Sequence, residues 1–227
     1  MNRLKVITTL MKQKNLKNYL EIGVHNAHIL FRIKSTFKIA IDPKFAFDTA
    51  RKIGKTILNP FNLYNQYFEK TSDDFFADDA SKVIGNKKIE ISLIDGMHQY
   101  DYALRDIENT LKYLSDDGVI IIHDCNPQTK AASGTWDEWQ SRNEEGFWNG
   151  DVWKAIVHLR STRKDINVFV LNCDHGLGVV TKSKPENVLN LTPDEIVKMQ
   201  YEAFDADRKN LINLKPVDYF YEYFSVK

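Results

Sequence analysis

The sequence from Ile89 to Pro127 constrains the fold more than any other part of the chain. It reads as a strand over Ile89 to Ile94, then a polar elbow of Asp95, Gly96, Met97 and His98. A helix over Asp101 to Leu114 follows, then a turn of Asp116, Asp117 and Gly118, and a second strand over Val119 to Ile122. Two short apolar runs joined by an amphipathic helix form a βαβ unit with parallel strands. Both runs are apolar almost without alternation, the pattern of strands covered on both faces. Each ends in an acid with a histidine near it: Asp95 and His98 after the first, His123 and Asp124 after the second. Open α/β sheets bind ligands at the carboxyl ends of their strands, so these four side chains are expected in one cleft.

The same alternation continues on both sides. Leu4, Ile7, Leu10 and Met11 are spaced as on a helix, which places an N-terminal helix within residues 1–16. A strand over Tyr19 to Val24 carries Glu21 and Gly23 at its end and leads into a short helix over His28 to Ile33. A glycine there lets backbone N–H groups approach a ligand. The next strand, Phe37 to Ile41, ends in Asp42, 19 residues after Gly23. In nucleotide-binding α/β folds an acid at that spacing accepts hydrogen bonds from ribose hydroxyls. A helix over 46–55, a strand over Tyr67 to Lys70 and a helix over Phe75 to Val83 follow. Ser72 and Asp73 lead into that last helix. They either cap it or face the purine of a nucleoside, and the two roles are compatible.

Beyond the central unit, residues 128–150 hold Trp136, Trp139 and Trp148. A loop of this length is a lid or substrate wall, or else it buries its tryptophans on the domain surface or in an oligomer contact. A helix is expected over Asp151 to Arg160. Strands over Ile166 to Leu171 and Gly178 to Thr181 are linked too tightly to be anything but an antiparallel hairpin. Residues 193–227 read as a helical extension whose aromatic tail docks on the body or on a second subunit of a homo-oligomer. The expected fold is α/β: a Rossmann-like, doubly wound, mostly parallel sheet with a C-terminal antiparallel β-hairpin, in one domain over 1–227.

Lys plus Arg and Asp plus Glu both number 31, so there is no global basic field, and a local patch is the most the charge permits. Neither nucleic acid nor a membrane is expected as a partner. No apolar run approaches the roughly 20 residues that span a bilayer. The lysine-rich N-terminus has no long apolar core for a signal peptide. Two cysteines, Cys125 and Cys173, read as free thiols, and a cytoplasmic location is expected.

YLEIGVHNA, IAIDP and LIDGMHQYDYALRDIENTLKYLSDDGVIIIHDCNP together resemble class I S-adenosylmethionine-dependent methyltransferases with seven-stranded sheets. The third piece resembles a subgroup with an IDGxHxY…HD motif. That subgroup is similar to metal-dependent sugar O-methyltransferases. The resemblance implies S-adenosylmethionine against Glu21 and Gly23, its ribose on Asp42, its adenine near Ser72 and Asp73, and Asp95 at the cleft floor. It also implies a divalent cation, Mg²⁺ or another, on Asp95, Asp124 and His123, with Asn126 as a helper. His98 becomes the general base beside Asp95, and the acceptor a small molecule, a sugar or glycoconjugate hydroxyl. Ala27 stands where the family has its second glycine, and His123 where it has an acid. Two alternatives stay open: a repurposed S-adenosylmethionine-binding module without catalysis, and an NAD(P)-dependent oxidoreductase. Against the latter, the first turn has no three-glycine phosphate cradle.

Overall fold

The computed structural model describes residues 1–142 and 147–227. In chain order the first elements are α1 (Arg3–Lys14), β1 (Asn18–Ile22), β2 (Phe37–Asp42), α2 (Thr49–Leu58), β3 (Asn65–Glu69), α3 (Ser72–Asp78) and α4 (Ala80–Val83). The central unit is β4 (Ile89–Ile94), α5 (Tyr100–Tyr113) and β5 (Leu114–Ile122). After it come α6 (Trp136–Arg142), α7 (Trp153–Thr162), β6 (Asn167–Leu171), β7 (Leu177–Thr181), α8 (Pro193–Lys198), α9 (Tyr201–Leu211), β8 (Leu214–Lys215) and α10 (Asp218–Phe224).

The described strands form one sheet in the order β3-β2-β1-β4-β5-β7-β6-β8. The first five neighbours are parallel, and β7 runs antiparallel to both β5 and β6. This is the doubly wound sheet with a terminal hairpin that the sequence implies. Its strand order reverses between β1 and β4, where α/β sheets open a crevice.

The apolar strands are buried on both faces. On one face Leu20, Ile22, Ile120 and Ile122 meet Phe75, Ile107, Trp153, Ile156 and Phe204 from α3, α5, α7 and α9. On the other, Tyr19, Ile91, Leu93 and Ile121 meet Val6, Ile7 and Leu10 of α1 and Phe220 and Phe224 of α10. The aromatic tail thus docks on the body of its own chain.

Several local expectations change. The helix foreseen over His28 to Ile33 is only a 3-10 turn, Leu30–Arg32. Left-handed φ values at His25 (44°) and Ala27 (57°) bend the chain just before it, and a helix cannot pass through such residues. The Asp116–Gly118 turn lies inside β5, where the pairing with β4 shifts register. The C-terminal extension adds an eighth strand to the seven expected, because Leu214 and Lys215 pair with Val170 and Leu171 at the sheet edge. The 128–150 loop contains α6, and its residues 143–146 lie outside the described residues. Finally, α2 begins later than foreseen and buries none of its side chains.

This packing sets a contrast. Replacing Ile120, fully buried in β5, by alanine should cost about 2–5 kcal/mol. Replacing Ile57, 75% exposed on α2, should stay within about 0.5 kcal/mol. Urea unfolding of the two variants measures both; comparable losses would mean that α2 is packed against something.

Candidate active site

The carboxyl ends of β1, β2, β4 and β5, with the β6–β7 turn, surround a cavity of about 890 Å³. Gly23 forms its floor at the crevice. With φ at 81°, a Cβ there would lie 2.0 Å from the carbonyl oxygen of Asp95, so the β1 and β4 turns touch too closely for any side chain. Asp42 lines the cavity at the tip of β2. Its two oxygens accept the backbone N–H groups of His25 (2.7 Å) and Lys44 (2.8 Å), which fix the carboxylate at the rim. Thr71 caps α3 by accepting from the Asp74 N–H, which leaves the neighbouring Ser72 facing the cavity.

Two of the residues foreseen for the cofactor lie elsewhere. Asp73 turns outward and pairs with Arg105 at 3.1 Å. Glu21 is buried below the floor on the α1 side, where it accepts the Tyr19 hydroxyl at 2.6 Å. Burial raises the Glu21 carboxyl to about 8, against the opposing Tyr19 hydrogen bond. The reason is strand alternation: the Ile22 side chain lines the cavity, so that of its neighbour Glu21 points to the opposite face of the sheet.

The corner meant for Asp73 is instead formed by Asp106, which sequence reasoning passed over. It sits on the buried face of α5 with Ala103, Ile107 and Thr110, and an acid interrupting an apolar helical stripe was the available signal. Burial raises its pKa to about 7, with Ser72 beside it opposing.

The other end of the cavity holds three acids from three strand ends: Asp95, Asp124 and Asp174. Asp124 and Asp174, with His175, take left-handed φ values of 61°, 48° and 62°. Non-glycine residues in that region are strained and persist where the surrounding structure imposes them. Arg3 reaches in from α1, 3.4 Å from Asp95 and 3.2 Å from Asp174. This cation, too, was missed: on the sequence it reads only as the start of an N-terminal helix. Burial disfavours the Asp95 carboxylate, but His123, His98 and Arg3 outweigh it and hold the acid well below the usual range.

The two imidazoles play different parts. His123 Nδ1 lies 2.8 Å from Asp124, and its Nε2 lies 2.6 Å from the Arg3 guanidinium. Nδ1 carries a proton toward Asp124, and Nε2 also faces Asp174, 3.7 Å away. Burial opposes a second proton on this ring, while Asp124, Asp174 and Asp95 together raise its pKa to about 11. With both nitrogens engaged, His123 is a partner of the acids and not a cation ligand.

His98 is placed differently. Its Nδ1 donates to the Trp148 carbonyl at 3.0 Å, and Trp148 stacks on the ring at 5.2 Å. The other nitrogen, Nε2, is 3.5 Å from Asp95 and 3.3 Å from Asp124. A bare Nε2 facing two carboxylates needs a positive charge between them, from a proton or a metal ion. Burial opposes the proton, yet Asp95 and Asp124 raise the pKa overall. Ligand atoms of Asp95, His98 and Asp124 all lie within 4.8 Å of one another. Two carboxylates and an imidazole suit a divalent cation, so this trio fits one where the set with His123 does not. Asn126 is buried and accepts from Arg208, away from this trio.

Residues 147–150 close over this end. Phe147 and Trp148 line the cavity, and Asn149 donates to Asp124 at 2.5 Å. At Gly150, φ 63°, a Cβ would lie 1.6 Å from the His98 carbonyl oxygen, so the loop and the β4 elbow meet backbone to backbone.

Residues 20–125 match a family model described as a methyltransferase domain. The match spans β1 to β5 with the elements between them. No curated protein matches the chain by sequence. Solved structures are similar in fold. The O-methyltransferase TomG from Streptomyces achromogenes, involved in tomaymycin synthesis and in complex with S-adenosylmethionine, is 9% identical. Its TM-score is 0.58, with 80% of this chain and 79% of that chain covered. An O-methyltransferase from Bacillus cereus in complex with S-adenosylhomocysteine is 12% identical, TM-score 0.53, with 79% and 80% covered. The S-adenosylhomocysteine-bound methyltransferase PaMTH1 from Podospora anserina is 14% identical, TM-score 0.54, with 81% and 80% covered.

Asp106 gives the domain a titration signature. Its folded pKa of about 7 lies above the ordinary ~3.9 of an unfolded aspartate. Between those values the folded state holds more protons, so its stability falls as pH rises. Asp106→Asn removes this dependence. The variant's melting temperature relative to the parent should climb from pH 5 to pH 8, and a pH-independent difference would refute the buried, neutral acid.

Proposed function

We propose that the chain is an active S-adenosylmethionine-dependent O-methyltransferase acting on a hydroxyl of a small acceptor, a sugar or glycoconjugate. One observation carries this reading: a single cavity is lined by Gly23 at the crevice, by Asp42 at the tip of β2, and by Asp95, His98 and Asp124, which converge beyond β4 and β5. The structural neighbours named above, two of them O-methyltransferases, hold S-adenosylmethionine or its demethylated product, which supports the same cofactor here.

In this reading Asp42 accepts hydrogen bonds from the ribose hydroxyls. The N–H groups after β1 lie along the methionine part, and Ser72 and Asp106 flank the base. The acceptor oxygen attacks the methyl carbon of the sulfonium. The carbon–sulfur bond breaks, its electron pair stays on sulfur as a neutral thioether, and the hydroxyl proton goes to the protein. An aliphatic hydroxyl is a weak nucleophile, so alignment and proton removal are the protein's share of the work. His98 presents Nε2 at the right end of the cavity, with its ring held by the Trp148 carbonyl and by stacking. Asp95 and Asp124 set its charge. A divalent cation held by the Asp95 and Asp124 carboxylates would lower the acceptor's pKa and leave Nε2 of His98 free to take the proton. The aromatic faces of Phe147 and Trp148 beside carboxylates suit a polyhydroxylated ring, which favours the sugar reading and gives the 128–150 loop the part of substrate wall.

His98→Ala should leave S-adenosylhomocysteine binding unchanged in calorimetry and reduce turnover by about 100-fold or more. Loss of both would make His98 a structural residue. Full activity in chelator-treated, metal-free buffer would remove the cation from the reaction while leaving the proton-transfer role intact.

A further inference from the structure

Helix α2 is built inside out. Ala50, Ile53, Gly54, Ile57 and Leu58 share one stripe at helical spacing, and all five are exposed. Ile53, Ile57 and Leu58 are 58%, 75% and 79% exposed. The half-buried side carries Lys52, whose ammonium lies 4.3 Å from the centre of the Tyr67 ring. Neither hydrophobic cluster of the core includes a side chain of α2. The apolar surface continues through Phe61 and Leu63 of the following 3-10 turn, Leu63 being 76% exposed. A contiguous exposed apolar face of this kind marks an interaction site.

Cations border it. One depression beside Leu58 is lined by Arg32, Lys34, Arg51 and Lys55. A second, beside Phe61, adds Lys12 and Lys17 to Arg32 and Lys34. Neither wall contains an acid. Burial and then the charges of Arg32, Arg51 and Lys55, with Arg3, depress the pKa of His28, as a locally positive field requires. Charge balance over the whole chain, on which the expectation of no membrane partner rested, averages this face away.

We propose that α2 and the turn after it dock on an anionic lipid bilayer, with Ile53, Ile57, Leu58, Phe61 and Leu63 entering the interface and the surrounding lysines and arginines on the headgroup phosphates. An amphipathic helix with an apolar face and a cationic rim binds membranes in this way. No described helix is long and apolar enough to cross a membrane, so the contact is peripheral. Two copies of the chain meeting through α2 would bring their cationic rims together, whereas phosphates neutralise them.

The experiment is co-sedimentation of the full chain with phosphatidylcholine vesicles, with and without phosphatidylglycerol. Binding should require the anionic lipid and weaken in high salt. Ile57→Asp with Leu58→Asp, and separately Arg32→Glu with Lys34→Glu, should each lower the bound fraction on the order of tenfold, with melting temperature and S-adenosylhomocysteine binding unchanged. Equal binding to neutral vesicles, or none to anionic ones, overturns the proposal. So does a homodimer in light scattering that Ile57→Asp with Leu58→Asp converts to monomer, which would give this face to a second copy.

Discussion

Three carboxylates converge at the carboxyl edge of the sheet, and a low-dielectric cleft does not tolerate them without positive partners. Arg3 comes from α1, His98 from the elbow after β4 and His123 from the end of β5. Breaking this balance would leave buried charge uncompensated, which costs more than the pairing itself contributes. The N-terminal helix is tied to the cleft by the same requirement. Its apolar side covers one face of the sheet, and its first turn delivers a guanidinium to two of the acids.

The cleft divides its chemistry between two ends. One is quiet: a carboxylate fixed by two backbone N–H groups and, on α5, an acid that burial keeps protonated up to about pH 7. That end suits a nucleoside. The other is charged and roofed by aromatic rings, with a histidine whose outer nitrogen is anchored and whose inner nitrogen meets two acids. In the proposed reading the first end binds the cofactor and the second carries the reaction.

The fold and the cleft's main residues were legible because parallel strands leave a plain record: short runs rich in Ile that turn wholly apolar toward their carboxyl ends, acids just beyond them, and a helix between. Gly23, Asp42, Asp95, His98 and Asp124 all follow from position relative to a strand end. Glu21 was misplaced because one residue of strand alternation decides between two faces, and Asp73 because an exposed arginine on α5 captures it. His123 kept its location but changed its part, since Arg3, distant in sequence, occupies its outer nitrogen.

By itself the sequence determined the order of strands and helices, the doubly wound sheet and the edge where ligands meet, since local periodicity and turn chemistry encode each of these. Only the tertiary structure decided which side chains share the cleft. Arg3 and Asp174 enter it from elements whose local patterns show nothing unusual, and Asp106 from an apolar helical stripe that its charge interrupts. It also decided that α2 turns its isoleucines to solvent, because whether an apolar stripe is covered depends on what packs against it. A periodic pattern specifies a face; the rest of the chain determines what that face meets.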